Sequence, residues 1–99
     1  MTLTTSQRQY LRRIAQALRA TVQIGKQGVT QPVMDSIEVE LQARELVKLK
    51  FMDFRDEKQT LAQQIASDTQ SELVALIGNT AIVYREQRDP EKRKVLLPR

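Results

Sequence analysis

Residues 21–52 read TVQIGKQGVTQPVMDSIEVELQARELVKLKFM, and the change of hydrophobic period within them decides the fold. Thr21 to Ile24 is a short β-branched run that stops at Gly25, the mark of a strand entering a turn. Thr30 then offers a hydroxyl for a helix N-cap, Pro32 suits a first helical turn, and Asp35 and Glu38 complement the helix dipole. Val33, Met34, Ile37 and Leu41 recur at helical spacing, so this helix runs to about Arg44. From Glu45 the period drops to two, because Val47, Leu49 and Phe51 alternate with Lys48, Lys50 and Met52 as in a half-buried strand. Strand, helix and strand in that order imply a right-handed crossover and parallel pairing.

Working outward, Thr4 and Gln7 form a capping box ahead of Leu11, Ile14, Ala15 and Leu18, which predicts a first helix from about 5 to 19. At about 100° per residue, Arg8, Arg12 and Arg19 fall on one stripe beside its apolar arc. Towards the C-terminus, DFRDEKQ starts a third helix that ends near Thr69 with Leu61, Ala62, Ile65 and Ala66 inward. Glu72 to Ile77 reads as a strand, Gly78 and Asn79 as a turn, and TAIVYR as a hairpinned partner. The tail from about 86 to 99 is charged and then apolar; flexibility and a short edge pairing are both open to it. The order αβαβαββ predicts an α/β (α+β) two-layer sandwich, with a mixed four-stranded sheet in a single domain spanning 1–99.

Charge is segregated along the chain. Residues 1–28 carry Arg8, Arg12, Arg13, Arg19 and Lys26 with no acid, residues 29–84 carry nine acids against five bases, and residues 85–99 carry six bases against three acids. Folding both ends onto one side would set a positive face against a negative back, the footprint of a polyanion binder. Zero Cys and zero His remove disulfides, thiolate metal sites and the commonest general base. The expectation is a non-enzyme with no cofactor and no metal. Asp53, Asp56 and Glu57 cluster at a helix start, where they stabilise the dipole. No apolar run approaches the roughly 18 residues of a membrane span, and the first ten residues lack a secretory signal; a cytoplasmic monomer is expected.

The sharpest local feature is Gly25-Lys26-Gln27-Gly28 between a strand and a capped helix. Glycines let the chain turn tightly and let a phosphate approach the amides, and Lys26 adds a charge at the same place. The GXXG loop of KH domains clamps single-stranded nucleic acid in this way. An ordinary strand-to-helix turn has the same spacing, so spacing alone leaves both readings open. Lys48 and Lys50 either line a groove or keep an exposed sheet face soluble, and Arg85 either pairs with phosphate or is an edge charge. Four aromatics (Tyr10, Phe51, Phe54, Tyr84) are too few for a stacking sheet.

VQIGKQGVT, ELVKLKF, IGNTAIVYR and the terminal KVLLPR, in that order, resemble the CRM domain (chloroplast RNA splicing and ribosome maturation) in its bacterial stand-alone, YhbY-type form. The resemblance implies an RNA-binding protein associated with precursors of the large (50S) ribosomal subunit, and thus ribosomal RNA as partner. It places the family's loop at Gly25, Lys26, Gln27 and Gly28 and its basic surface at Lys48, Lys50 and Arg85; Arg12 and Arg19 extend this set. It implies the fold of the C-terminal domain of the bacterial translation initiation factor that blocks subunit joining, with strand order 1-2-4-3 and an extra first helix. Gln16 and Ala20 stand where many relatives have His and Pro. The alternatives are a protein-interaction module docking on a ribosomal protein or assembly factor through Val95 to Leu97, a carboxylate and metal enzyme acting on RNA or nucleotides, and DNA as ligand.

Overall fold

A computed structural model describes residues 2–98. The elements are α1 (Thr5–Ala15), β1 (Ala20–Ile24), α2 (Gln31–Arg44), β2 (Leu46–Phe51), α3 (Lys58–Thr69), β3 (Glu72–Ile77) and β4 (Thr80–Tyr84), with single 3₁₀ turns at Arg55–Glu57 and Pro90–Lys92. The sheet order is β1-β2-β4-β3. β1 and β2 are parallel across the α2 crossover, and β4 pairs antiparallel with both β2 and β3.

The caps form as the sequence dictates. Thr4 and Gln7 exchange their two side-chain-to-backbone bonds, each 3.0 Å, and the Thr30 hydroxyl accepts from the Val33 amide at 3.3 Å. α1 is shorter than its apolar spacing suggests: after Ala15 the amides of Gln16, Ala17 and Leu18 bond three residues back instead of four. The helix thus tightens into a last 3₁₀-like turn, and Arg19 leaves it, so Arg8, Arg12 and Arg19 do not make one helical stripe.

The expected two-layer sandwich is corrected to three layers. α2 and α3 cover one sheet face, over Val22, Ile24, Val47, Leu49, Phe51, Ala81 and Val83. α1 covers part of the other, over Leu46, Val74, Ile82 and Tyr84, together with Leu97 and Val95 of the tail. The physical reason lies in β4, where Ala81, Ile82, Val83 and Tyr84 are all buried; a strand apolar on both sides needs cover on both. Among the described residues the tail forms no edge pairing and lies across the α1 face instead. Both ends of the chain therefore meet on one side, where the Gln7 side-chain amide donates to the Pro98 carbonyl at 3.0 Å. Acid-rich α2 packs on the opposite side.

Glu45 organises that junction. It is fully buried, at φ 66°, and its carboxylate accepts from the amides of Gln87 (2.7 Å), Lys94 (2.5 Å) and Val95 (2.8 Å). Three donors satisfy a carboxylate that would otherwise be costly to bury.

Candidate nucleic-acid interface

The parallel β1 and β2 end at the same sheet edge, the position where open α/β sheets present ligand sites. Three loops meet there: residues 25–30 after β1, residues 52–57 after β2, and the 78–79 hairpin turn. The Met52 and Asp53 amides both donate to the Ile24 carbonyl, at 2.8 and 3.3 Å, and the Phe51 amide donates to the Asn79 carbonyl at 2.8 Å. Lys58 fastens the hairpin turn from α3, donating to the Gly78 carbonyl at 2.7 Å and to Asn79 Oδ1 at 3.1 Å.

Within the first loop the Gly28 amide donates to the Gly25 carbonyl at 3.0 Å, closing a tight turn with Lys26 and Gln27 exposed at its tip. Their two amides have no acceptor among the described residues. The two glycines differ. Gly28 is buried at φ +75°, and a Cβ built there would stand 3.4 Å from the Phe54 ring. Gly25 lies outside the left-handed region, and a Cβ there would meet nothing within 4 Å. The fold thus requires one glycine and leaves the other as bare main chain facing open space.

On the α1 face, α1 and the tail cover only one end of the sheet. The cross-strand row Gln23, Lys50, Thr80 and Ile77, in register through all four strands, is uncovered next to the loops. Lys50 is exposed there and joins the Gly25 to Gly28 loop at one sheet end. One row inward, Lys48 donates its ammonium to the Leu18 carbonyl at 3.1 Å, so it also caps the end of α1. Arg19 is exposed where the chain enters β1, and Arg12 is exposed on α1.

Arg85 does not join them. It follows β4 at the opposite sheet edge, where its guanidinium holds both Glu38 oxygens, at 2.9 and 2.5 Å, and the Thr69 carbonyl at 2.9 Å. This hydrogen-bonded pairing lowers the Glu38 pKa from its usual carboxylate value and raises that of Arg85. Arg85, expected on the contact surface, thus lies apart from the loop in an ion pair that joins α2 to the end of β4. Arg8 is likewise structural, donating to the Leu73 and Val74 carbonyls at 2.5 and 3.0 Å, beside an irregularity in edge strand β3. Sequence reasoning missed Phe54, which lies in a stretch where charge dominates the pattern. Among the described residues no three acidic, His or Cys side chains gather to hold a metal ion, and no helix is long and apolar enough to cross a membrane.

A mixed 1-2-4-3 sheet carrying a glycine-bounded, lysine-tipped turn at the end of its parallel pair defines a small α+β domain with an exposed loop at that end. Residues 3–85 match the CRS1 / YhbY (CRM) domain, and the chain belongs to that family. It is 34% identical over 97 residues to the Bacillus subtilis "Probable RNA-binding protein YqeI", covering 97% of this chain and 99% of that protein. It is 35% identical over 99 residues to a Haemophilus influenzae protein named "RNA-binding protein", covering 99% and 97%. The solution structure of the hypothetical protein SAV1595 from Staphylococcus aureus superposes with a TM-score of 0.81 at 35% identity, over 98% of this chain and 100% of that one.

Proposed function

We propose that this chain is a non-enzymatic RNA-binding protein that grips a ribose-phosphate strand at Gly25, Lys26, Gln27 and Gly28. Lys50 and Lys48 extend the contact over the uncovered sheet face, and Arg19 and Arg12 carry it on to the entry of β1 and to α1. Its setting in this proposal is the cytoplasm, where it acts as a monomer on ribosomal RNA during assembly of the large (50S) subunit. Kinship with the C-terminal domain of the initiation factor that blocks subunit joining belongs to the same proposal, supported by the strand order. The observation that carries the reading is Gly25: no contact among the described residues and no backbone angle requires a glycine there, whereas a phosphate approaching the loop amides does. The names of the relatives support RNA as the polyanion. Against the protein-docking alternative, Leu97 is buried and Val95 half-buried, which leaves Leu96 as the one exposed apolar side chain of that tail segment.

The test is salt dependence together with one charge reversal. Four to six phosphate contacts with a single strand give log K against log salt a slope of about −3 to −4. Lys26→Glu weakens binding at least about tenfold, since reversal both removes a contact and adds repulsion, and leaves the melting temperature unchanged because the side chain is exposed. A slope near zero refutes the mechanism, and unfolding of the variant returns Lys26 to a purely structural turn.

A further inference from the structure

We propose that Phe54, flanked by Met52, forms a stacking subsite for one unpaired nucleobase beside the phosphate-gripping turn, so that the loop after β2 is the second jaw of the site. The inference rests on the RNA-binding reading above and adds to it a residue and a ligand group, the base.

Four observations converge on this loop. Phe54 and Met52 are 36% and 47% exposed, two large apolar side chains within three residues, outside both core clusters. Phe54 holds a left-handed backbone conformation, φ 57° and ψ 38°, which is a strained choice for a bulky residue. The Asp53 carboxylate holds it there by accepting from the Phe54 amide at 2.8 Å. The loop is also bonded to the root of the phosphate turn through the Met52 and Asp53 amides on the Ile24 carbonyl, while the edge of the Phe54 ring lies against Gly28. An aromatic ring is thus fixed against Gly28, one residue from Gln27 and two from Lys26, without being withdrawn into the core. A strand whose phosphate sits on those amides carries its base within reach of such a ring, and stacking on it is tolerant of sequence.

Binding of a single-stranded oligoadenylate and of an abasic ribose-phosphate strand of equal length separates stacking from mere bracing of the loop. Phe54→Leu is expected to weaken oligoadenylate binding about tenfold, the usual scale for one stacked base, and to leave abasic binding within about twofold. The chain has no Trp, so F54W installs a single indole. Its emission is expected to be quenched by oligoadenylate and unaffected by the abasic strand, whereas V39W, at an exposed position of α2, reports no change with either. Equal losses on both strands in F54L, or an F54W emission indifferent to oligoadenylate, overturn the subsite while Lys26-dependent binding stands. A wild-type chain that ignores both strands at low salt overturns the RNA-binding reading and the subsite with it.

Discussion

Gly25 and Gly28 look interchangeable in the sequence, and the fold gives them opposite duties. At Gly28 the backbone needs φ +75°, a conformation that costs an L-residue about 1–2 kcal/mol. Gly28→Ala is therefore expected to lower stability by about that amount, which in a domain of this size is roughly a 4–8 °C fall in melting temperature for each kcal/mol. At Gly25 a methyl group meets nothing, and replacing glycine where the backbone permits it is neutral or stabilising by up to about 1 kcal/mol through the unfolded chain. Gly25→Ala is expected to melt no lower than the wild type and to bind RNA more weakly, because the methyl group stands where the phosphate would approach. Melting curves and titrations on the two variants check this pair of outcomes. A Gly25→Ala protein that binds like the wild type would show that no ligand approaches the main chain at that point.

At the scale of elements, the tail depends on Glu45, whose carboxylate gathers three backbone amides in a fully buried site. Glu45→Ala strands those donors, and at about 1–3 kcal/mol for each buried unsatisfied group, eased by any water that enters, a loss on the order of 3 kcal/mol is expected. The variant's Gln87, Lys94 and Val95 amides are expected to exchange with solvent much faster than those of β4; unchanged protection would mean that the tail is held by Leu97 and Val95 alone. This clamp was invisible in the sequence, where Glu45 marked only a change of period, because its partners lie more than 40 residues away. The strand, turn and helix from Thr21 to Arg44 and the hairpin around Gly78 were legible, since caps, glycines and periodicity are local signals. The side of the sheet that α1 covers was not, because an amphipathic arc states that a helix is buried and not against what. Within the candidate site, the glycine-bounded turn could be read as a turn, but its spacing left binding and plain chain reversal both open. Phe54 could not, since nothing in DFRDEKQ marks a left-handed backbone or a ring beneath Gly28.

For the whole molecule, the two ends of the sheet differ in how far they are tied together. The end with Gly25 to Gly28, Lys50 and Phe54 is open, whereas the opposite end is tied together by Arg85, Glu38, Thr69 and Glu45. Stability should therefore respond to acid through groups that the proposed RNA contact does not use. Arg85 lowers the Glu38 pKa in the folded chain, chiefly by hydrogen bonding to the carboxylate. A depressed carboxylate contributes stability that is fully present above its unfolded value and is lost as pH falls through the folded one. The Arg85 pKa is raised, so its own loss would fall only in strong alkali. The acid side is thus the window in which the pair weakens, beginning near the ordinary carboxylate value of 4.5 and continuing below it. Wild type and Glu38→Gln are expected to differ in melting temperature at neutral pH and to converge as pH drops below that value, because the wild-type carboxylate is then neutral too. The side chain of Glu38 is 42% exposed, so solvent screening keeps the neutral-pH gap small, and the convergence is the diagnostic feature. A gap that stays constant down to pH 3 would assign the effect of the substitution to packing instead of charge. RNA affinity at neutral pH should be the same for both proteins, since Glu38 and Arg85 lie at the far edge of the sheet from the turn that carries Lys26.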